Sequence, residues 1–140
     1  MGKTGIVRHQ LYLEHRTGIM HPESPQRLQS IYTMLDHKDF GPDLVQIEPR
    51  FATLDEILWV HDPQYVDLIL DSADRAQVRY DPDTVASPQT YKAAWLAAGG
   101  VMEAVKAVLT KARQERLCPC QAARASCPQG SGHGVLYLQQ

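Results

Sequence analysis

Between residues 91 and about 111, apolar side chains recur at the spacing of a long helix: Ala94, Ala97, Ala98, Val101, Met102, Val105, Val108 and Leu109. A helix written this way needs a surface to lie on. The Gly99-Gly100 pair inside it costs roughly 1 kcal/mol per glycine relative to alanine, and close packing against a neighbouring backbone is the expected reason for keeping both. After Lys111 the pattern stops. Residues 113–140 hold neither a helical nor a strand period, and their composition turns to Gln, Gly, Cys, Ala and Arg.

The first 90 residues alternate short strands with helices. Thr4-Gly5-Ile6-Val7 reads as a buried strand, followed by a polar stretch that carries His9, His15 and His21 into a loop. Ser24-Pro25 reads as a helix start, with Ser to cap free amides and Pro at a position whose N–H is unpaired anyway. Leu28, Ile31, Tyr32 and Leu35 then make one apolar stripe. Gly41-Pro42 breaks that helix before a second strand, Leu44-Val45-Gln46-Ile47, closed by Glu48-Pro49. Thr53-Leu54-Asp55-Glu56 fits a capping box, with Leu54, Ile57 and Leu58 facing inward. Asp62-Pro63 opens another helix with Val66, Ile69 and Leu70 as its stripe, and Ser87-Pro88 repeats the start signal before the long helix. Between these, Arg75, Gln77 and Arg79 read as a polar connection to the turn Asp81-Pro82-Asp83-Thr84. The class is α/β, but two strands are too few for a doubly covered sheet, so the body reads as the opening part of a larger domain.

The 140 residues carry a net charge of -2 with no basic blocks, which removes the electrostatic footprint of a nucleic-acid binder. No stretch approaches the roughly 18–20 consecutive apolar residues of a membrane span, and the first residues lack a signal peptide's apolar segment. The expectation is a cytoplasmic chain with no membrane and no direct nucleic-acid partner. All 3 cysteines lie between positions 118 and 127.

Taken in order, several motifs resemble one family. They are Thr4 to Val7, Tyr12 to His15, Thr17-Gly18, His21-Pro22-Glu23-Ser24-Pro25-Gln26-Arg27-Leu28, Ile47 to Arg50, Ala52-Thr53, Val60 to Val66, Asp83-Thr84, Ser87-Pro88 and Tyr91 to Gly100. Together they resemble the amino-terminal segment of the histone deacetylase superfamily. The class II-like branch is the nearest, with its acetylpolyamine amidohydrolases and acetoin-utilisation proteins. The resemblance implies the amino-terminal part of an arginase/deacetylase-like fold, an open α/β domain around a parallel sheet, here truncated. It also implies hydrolysis of acetyl-lysine or acetylated small amines with one zinc ion, which polarises the amide carbonyl while a bound water attacks and a His pair handles protons. The family's zinc ligands and His pair lie beyond the matched residues. The segment therefore supplies no catalytic or metal-binding residue, only the active-site rim and its supporting wall, and zinc is not expected to bind it.

Four residues carry over from the resemblance. Arg27 matches an arginine that lines the internal cavity below the catalytic centre; the plain alternative is a helix-surface arginine. Asp83 matches an acidic rim residue that holds the backbone of the incoming substrate, the alternative being a turn-capping Asp. His21 and Pro22 fall on the neighbouring rim loop, where a solvated loop histidine is the alternative. His61 and Asp62 read as a helix boundary.

The tail divides the chain into residues 1–112, the deacetylase-like portion, and 113–140, an irregular tail. Cys118, Cys120, Cys127 and His133 together can be read as a soft-ligand zinc cluster, though the Cys-Pro-Cys spacing matches no common finger. A disordered linker is a second reading. A one-base shift is a third: with permitted codons, residues 114–140 become KNAFALVRPPGHHALKDRAMGFCIFNN, which resembles the family's strand, catalytic Pro-Pro-Gly-His-His loop and following Gly-Phe-Cys segment. The expectation is a deacetylase fragment, inactive as this chain. A non-catalytic interaction module or a small zinc-binding protein using the cysteine tail are the alternatives from other classes.

Overall fold

A computed structural model describes residues 3–18, 21–40 and 44–116. Strands β1 (Thr4–Val7) and β2 (Leu44–Ile47) pair in parallel, Thr4 opposite Leu44 and Val7 opposite Ile47. Helix α1 (Pro25–His37) lies between them in sequence, as a parallel crossover requires. Its stripe falls where the spacing puts it, Tyr32 buried and Leu28, Ile31 and Leu35 half-buried. The start signal works differently from its reading: Ser24 occupies the N-cap, but its side chain makes no capping bond, and the backbone amide of Arg27 turns back to the Ser24 carbonyl at 3.1 Å instead. The helix ends when Lys38 N donates to the Met34 carbonyl; Gly41-Pro42 lies outside the described residues.

Helix α2 (Leu54–Leu58) opens on the expected capping box, Glu56 N donating to Thr53 Oγ1 at 3.2 Å and Thr53 N to Glu56 Oε2 at 2.8 Å. Helix α3 (Pro63–Leu70) starts on Asp62, whose carboxylate accepts from Gln64 N at 2.8 Å. Ala52, Ile57 and Val66 form a buried cluster against Leu58, Trp95, Ala98 and Met102. Two inward assignments are corrected. Leu54 is 52% exposed and Leu70 38%, because each sits at the edge of its stripe where no neighbouring element closes over it.

The polar connection is more ordered than its composition suggests. It holds a 3-10 turn (Asp71–Asp74) and a small antiparallel hairpin, β3 (Val78–Arg79) against β4 (Val85–Ala86), with Val78 opposite Ala86. Both residues of β4 are buried, which anchors the turn 81–84.

Helix α4 (Thr90–Arg116) runs past the division at 112, so residues 113–116 are helical rather than irregular. Ala93, Leu96, Gly99, Gly100 and Ala104 are its buried line. The glycine pair has the predicted reason. A Cβ on Gly99 would stand 1.9 Å from the Arg50 carbonyl oxygen and 2.7 Å from Ala52 N, and one on Gly100 would meet Val7, Tyr12 and Pro49. Ala52 N also donates to the Trp95 carbonyl at 3.0 Å, fastening the segment after β2 across the helix. Arg50 buckles this crossing, its guanidinium reaching Glu56 through both Nη atoms at 2.7 Å and Glu103 through Nε at 3.0 Å. Those carboxylates raise the Arg50 pKa further, and Arg50 with the Thr53 amide holds Glu56 down at about 2.

Although no run of consecutive apolar residues spans it, Thr90–Thr110 contains an 18-residue window with a mean hydropathy of 1.3, long and apolar enough to cross a membrane by length and composition only. The test of consecutive apolar residues misses it because Lys92, Glu103 and Lys106 interrupt the run. In the fold it is the helix on which β1, β2 and the Gln10–Glu14 turn rest.

Candidate active-site rim

Three segments converge on the amino-terminal end of α4. The first is the 3-10 turn Gln10–Glu14, closed by His9, whose Nδ1 accepts from Leu11 N at 3.0 Å. Two tyrosines clamp it. Tyr12 donates to the Leu96 carbonyl of α4 at 3.2 Å, and Tyr32 of α1 donates to the His9 carbonyl at 3.2 Å while accepting from His9 N at 3.3 Å. Burial, with a smaller contribution from Tyr32, pushes the Tyr12 phenol up to about 12, so it stays a neutral donor.

Beyond this turn the chain is tied to the start of α4. Ser87 Oγ donates to the Glu14 carbonyl and accepts from Arg16 N, both at 3.1 Å, and Ser87 N donates to Thr90 Oγ1 at 2.8 Å. His15 Nδ1 lies 2.9 Å from Thr90 Oγ1, and its Nε2 lies 3.9 Å from Glu23. Burial lowers the His15 pKa, outweighing the opposite pull of Glu23, and nearby His21 acts in the same direction as burial. Thr17, also buried, donates its hydroxyl to the Glu23 carbonyl. The loop 21–24 is thus fixed to the segment before it.

His21 joins this loop to the third segment. Its Nδ1 accepts from Glu23 N at 3.1 Å, so the ring proton belongs on Nε2, which donates to the Asp83 carbonyl at 3.0 Å. The sequence reading placed His21 and Asp83 on separate rim loops; the structure brings them into contact. Pro22 is exposed beside them, and its carbonyl receives only a long 3.5 Å approach from Arg27.

Asp81, which the sequence reading missed, organises the turn. Its carboxylate accepts from Asp83 N at 2.8 Å, Thr84 N at 2.6 Å and the Thr84 hydroxyl at 2.8 Å, and these bonds, the hydroxyl first, hold its pKa below the usual carboxylate value. The available signal was Asp at the first position of Asp-Pro-Asp-Thr, the place an Asx turn prefers. The capping role weighed for Asp83 therefore belongs to Asp81. The Asp83 carboxylate is exposed and makes no hydrogen bond or ion pair among the described residues. It remains an available acceptor on a backbone held from both sides.

Arg27 stands on the first turn of α1 and lines a cavity of about 80 Å³ together with Tyr12, His15 and Glu23. Its guanidinium is exposed at the cavity wall. Among the described residues no three His, Cys, Asp or Glu side chains gather closely enough to hold a metal ion. The residues described here thus do not fit the zinc that the fold family implies. Cys118, Cys120, Cys127 and His133 lie outside the described residues. His61 and Asp62 sit at the α2–α3 boundary, Asp62 as the cap, in keeping with their reading.

The histone deacetylase domain profile matches residues 21–133, reaching beyond the division at 112. The chain belongs to that family. A "probable deacetylase" of Archaeoglobus fulgidus is 37% identical over 112 residues, covering 77% of this chain and 30% of that protein. A "probable deacetylase" of Methanothermobacter thermautotrophicus is 34% identical over 89 residues, covering 64% of this chain and 26% of that protein. The histone deacetylase HDA1 of Candida albicans is 32% identical over 107 residues, covering 64% and 13%. The crystal structure of the HDA15 HD domain superposes with a TM-score of 0.69 at 24% identity, over 79% of this chain and 33% of that one. The chain thus spans less than a third of the length of the probable deacetylases it matches.

Proposed function

We propose that residues 1–112 supply the substrate-facing rim and supporting wall of a deacetylase domain that hydrolyses acetyl-lysine or acetylated small amines. The observation that carries this reading is the convergence of His21, Asp83 and Arg27 at one end of α4, inside the span matched by the family. Asp83 is the substrate-side acceptor: a free carboxylate can take an N–H from an extended substrate without losing an existing partner. Its position depends on Asp81 through the backbone and on His21 through the carbonyl. Pro22 shapes the adjoining loop, and Arg27 adds a fixed positive charge to the cavity wall, where it would attract a small carboxylate such as acetate.

The described residues include neither a metal-binding set nor a histidine pair that the family resemblance assigns to catalysis, and no chemical step is routed through them. We propose that the chain alone is inactive, and that residues 113–140 arise from a one-base shift near Gln114. Support for the shift comes from the 27-residue alternative reading, which places Pro-Pro-Gly-His-His over Ala122 to Cys127. Nucleotide sequencing across codons 108–140 tests it. An uninterrupted, verified frame whose codons do not yield the alternative string would overturn the shift. With the frame restored, zinc-dependent acetate release from an acetylated peptide or acetylpolyamine is expected, and no turnover on either would count against the deacetylase reading.

A further inference from the structure

We propose that the outer face of α2 and α3 docks a polypeptide segment in which lysine or arginine is interleaved with apolar residues, at a place apart from the rim. Ile57 of α2 and Val66 of α3 are buried in one cluster with Trp95, Ala98 and Met102 along the middle of α4, so the opposite sides of both helices turn outward together. Those sides are not written for water. Trp59, at the end of α2, stands two residues beyond Ile57, and Leu68 of α3 two residues beyond Val66, each therefore opposite its buried neighbour. Trp59 is 74% exposed and Val60, on the bend to α3, 78%, while Tyr65 and Leu68 are about half exposed. The His61 ring, 5.3 Å from that of Tyr65, links the bend to α3. Single exposed apolar residues are ordinary on a protein surface; a connected group built around an open tryptophan is what interaction sites use.

Charge on this face selects the occupant. Residues 51–74 hold 6 acidic residues and no Lys or Arg. Glu56 is taken by Arg50, and Asp62 by the amide of Gln64. The carboxylates of Asp55, Asp67, Asp71 and Asp74 make no hydrogen bond or ion pair among the described residues. Asp55 lies one turn before Trp59 and Asp71 one turn beyond Leu68, so each outward apolar residue has a free carboxylate beside it. A partner that matches the pattern brings apolar side chains to the rings and cations to the carboxylates, and its cations can also lie against the faces of Trp59 and Tyr65. Nucleic acid and an anionic lipid surface meet repulsion here. A second copy using the same face across a twofold axis sets carboxylate against carboxylate.

The test titrates a synthetic amphipathic helix of leucine and lysine into the 140-residue chain and follows binding by calorimetry. One-to-one binding that falls as salt is raised, and that Trp59→Ala weakens at least about tenfold, is the expected result. Asp55→Asn with Asp71→Asn should weaken it and flatten its salt dependence. Counterparts with serine for leucine, or glutamate for lysine, should each bind at least about tenfold more weakly than the parent peptide. No binding, binding indifferent to Trp59→Ala, or equal binding of either counterpart would overturn the proposal. So would a homodimer by sedimentation, or co-flotation with phosphatidylcholine–phosphatidylglycerol vesicles, that Trp59→Ala abolishes.

Two controls fix the place of binding. Val105→Ser with Val108→Ser, on the exposed side of α4, should leave the affinity unchanged. A loss as large as that from Trp59→Ala would put the peptide on α4 and overturn the docking on α2 and α3. Because Trp59, Asp55 and Asp71 are exposed, their variants should keep the Tm within about 2 °C. A fall of more than about 5 °C for Trp59→Ala means that the face is already covered within the chain, which also overturns the proposal.

Discussion

His15 sits where the segments around the start of α4 meet, within reach of Thr90 and Glu23, and its chemistry sets how this junction responds to acid. Burial disfavours its charged form, so its pKa in the fold lies below the usual 6.5. The unfolded chain therefore binds the proton more readily. The stability this group contributes is complete above about pH 6.5 and declines as pH falls towards the lowered pKa. His15→Gln should flatten the dependence of Tm on pH below about 6.5, a comparison that thermal melts at matched ionic strength will make. Glu56 has the same sign at lower pH: its pKa falls from 4.5 to about 2, so its contribution is complete above 4.5 and is lost as pH drops through 2. Glu56→Gln should lower Tm at pH 7, and the two proteins should converge near pH 2. Asp81→Ala should release the Asp83 and Thr84 amides, read as faster hydrogen exchange at those positions with little change in global Tm. The sequence named His21, Asp83 and Arg27 individually. It did not convey that His21 touches Asp83, since 62 residues separate them, nor that Asp81 rather than Asp83 holds the turn.

The elements were legible where local chemistry determines them. The Thr53–Glu56 box, the Asp62 cap and the stripe through Tyr32 depend on residues within a few positions of one another, and all three form. The hairpin β3–β4 was not legible because two residues per strand leave no alternation to read. Leu54 and Leu70 were misassigned for another reason: periodicity identifies an apolar face but not whether anything covers it. Gly99 and Gly100 offer a test of packing at this scale. Gly99→Ala would drive a methyl into the backbone at Arg50 and Ala52, which cannot yield without moving the segment; it should cost about 2–3 kcal/mol. Gly100→Ala meets side chains of Val7, Tyr12 and Pro49 at 2.9–3.2 Å, which can shift, so it should cost less than Gly99→Ala. Urea melts of the two variants would rank them, and equal losses would show that the Arg50 crossing is looser than described.

For the molecule as a whole, family membership came through clearly because many short motifs kept their order along the chain. The completeness of the site could not be read the same way, since it depends on side chains that must gather from distant positions. Assayed alone with zinc, the 140-residue chain should release no acetate from acetylated peptides or acetylpolyamines above the rate without protein. The crossing of Arg50 and Ala52 over Gly99 also bears on how the chain is made. A ribosome adding about 5–20 residues per second takes roughly 2.5–10 s to travel from Arg50 to Gly99. During that interval β1, β2 and the segment after them have emerged without the helix they rest on. Their apolar sides must wait for a partner synthesised later, and until α4 appears they are exposed surface of the kind chaperones bind.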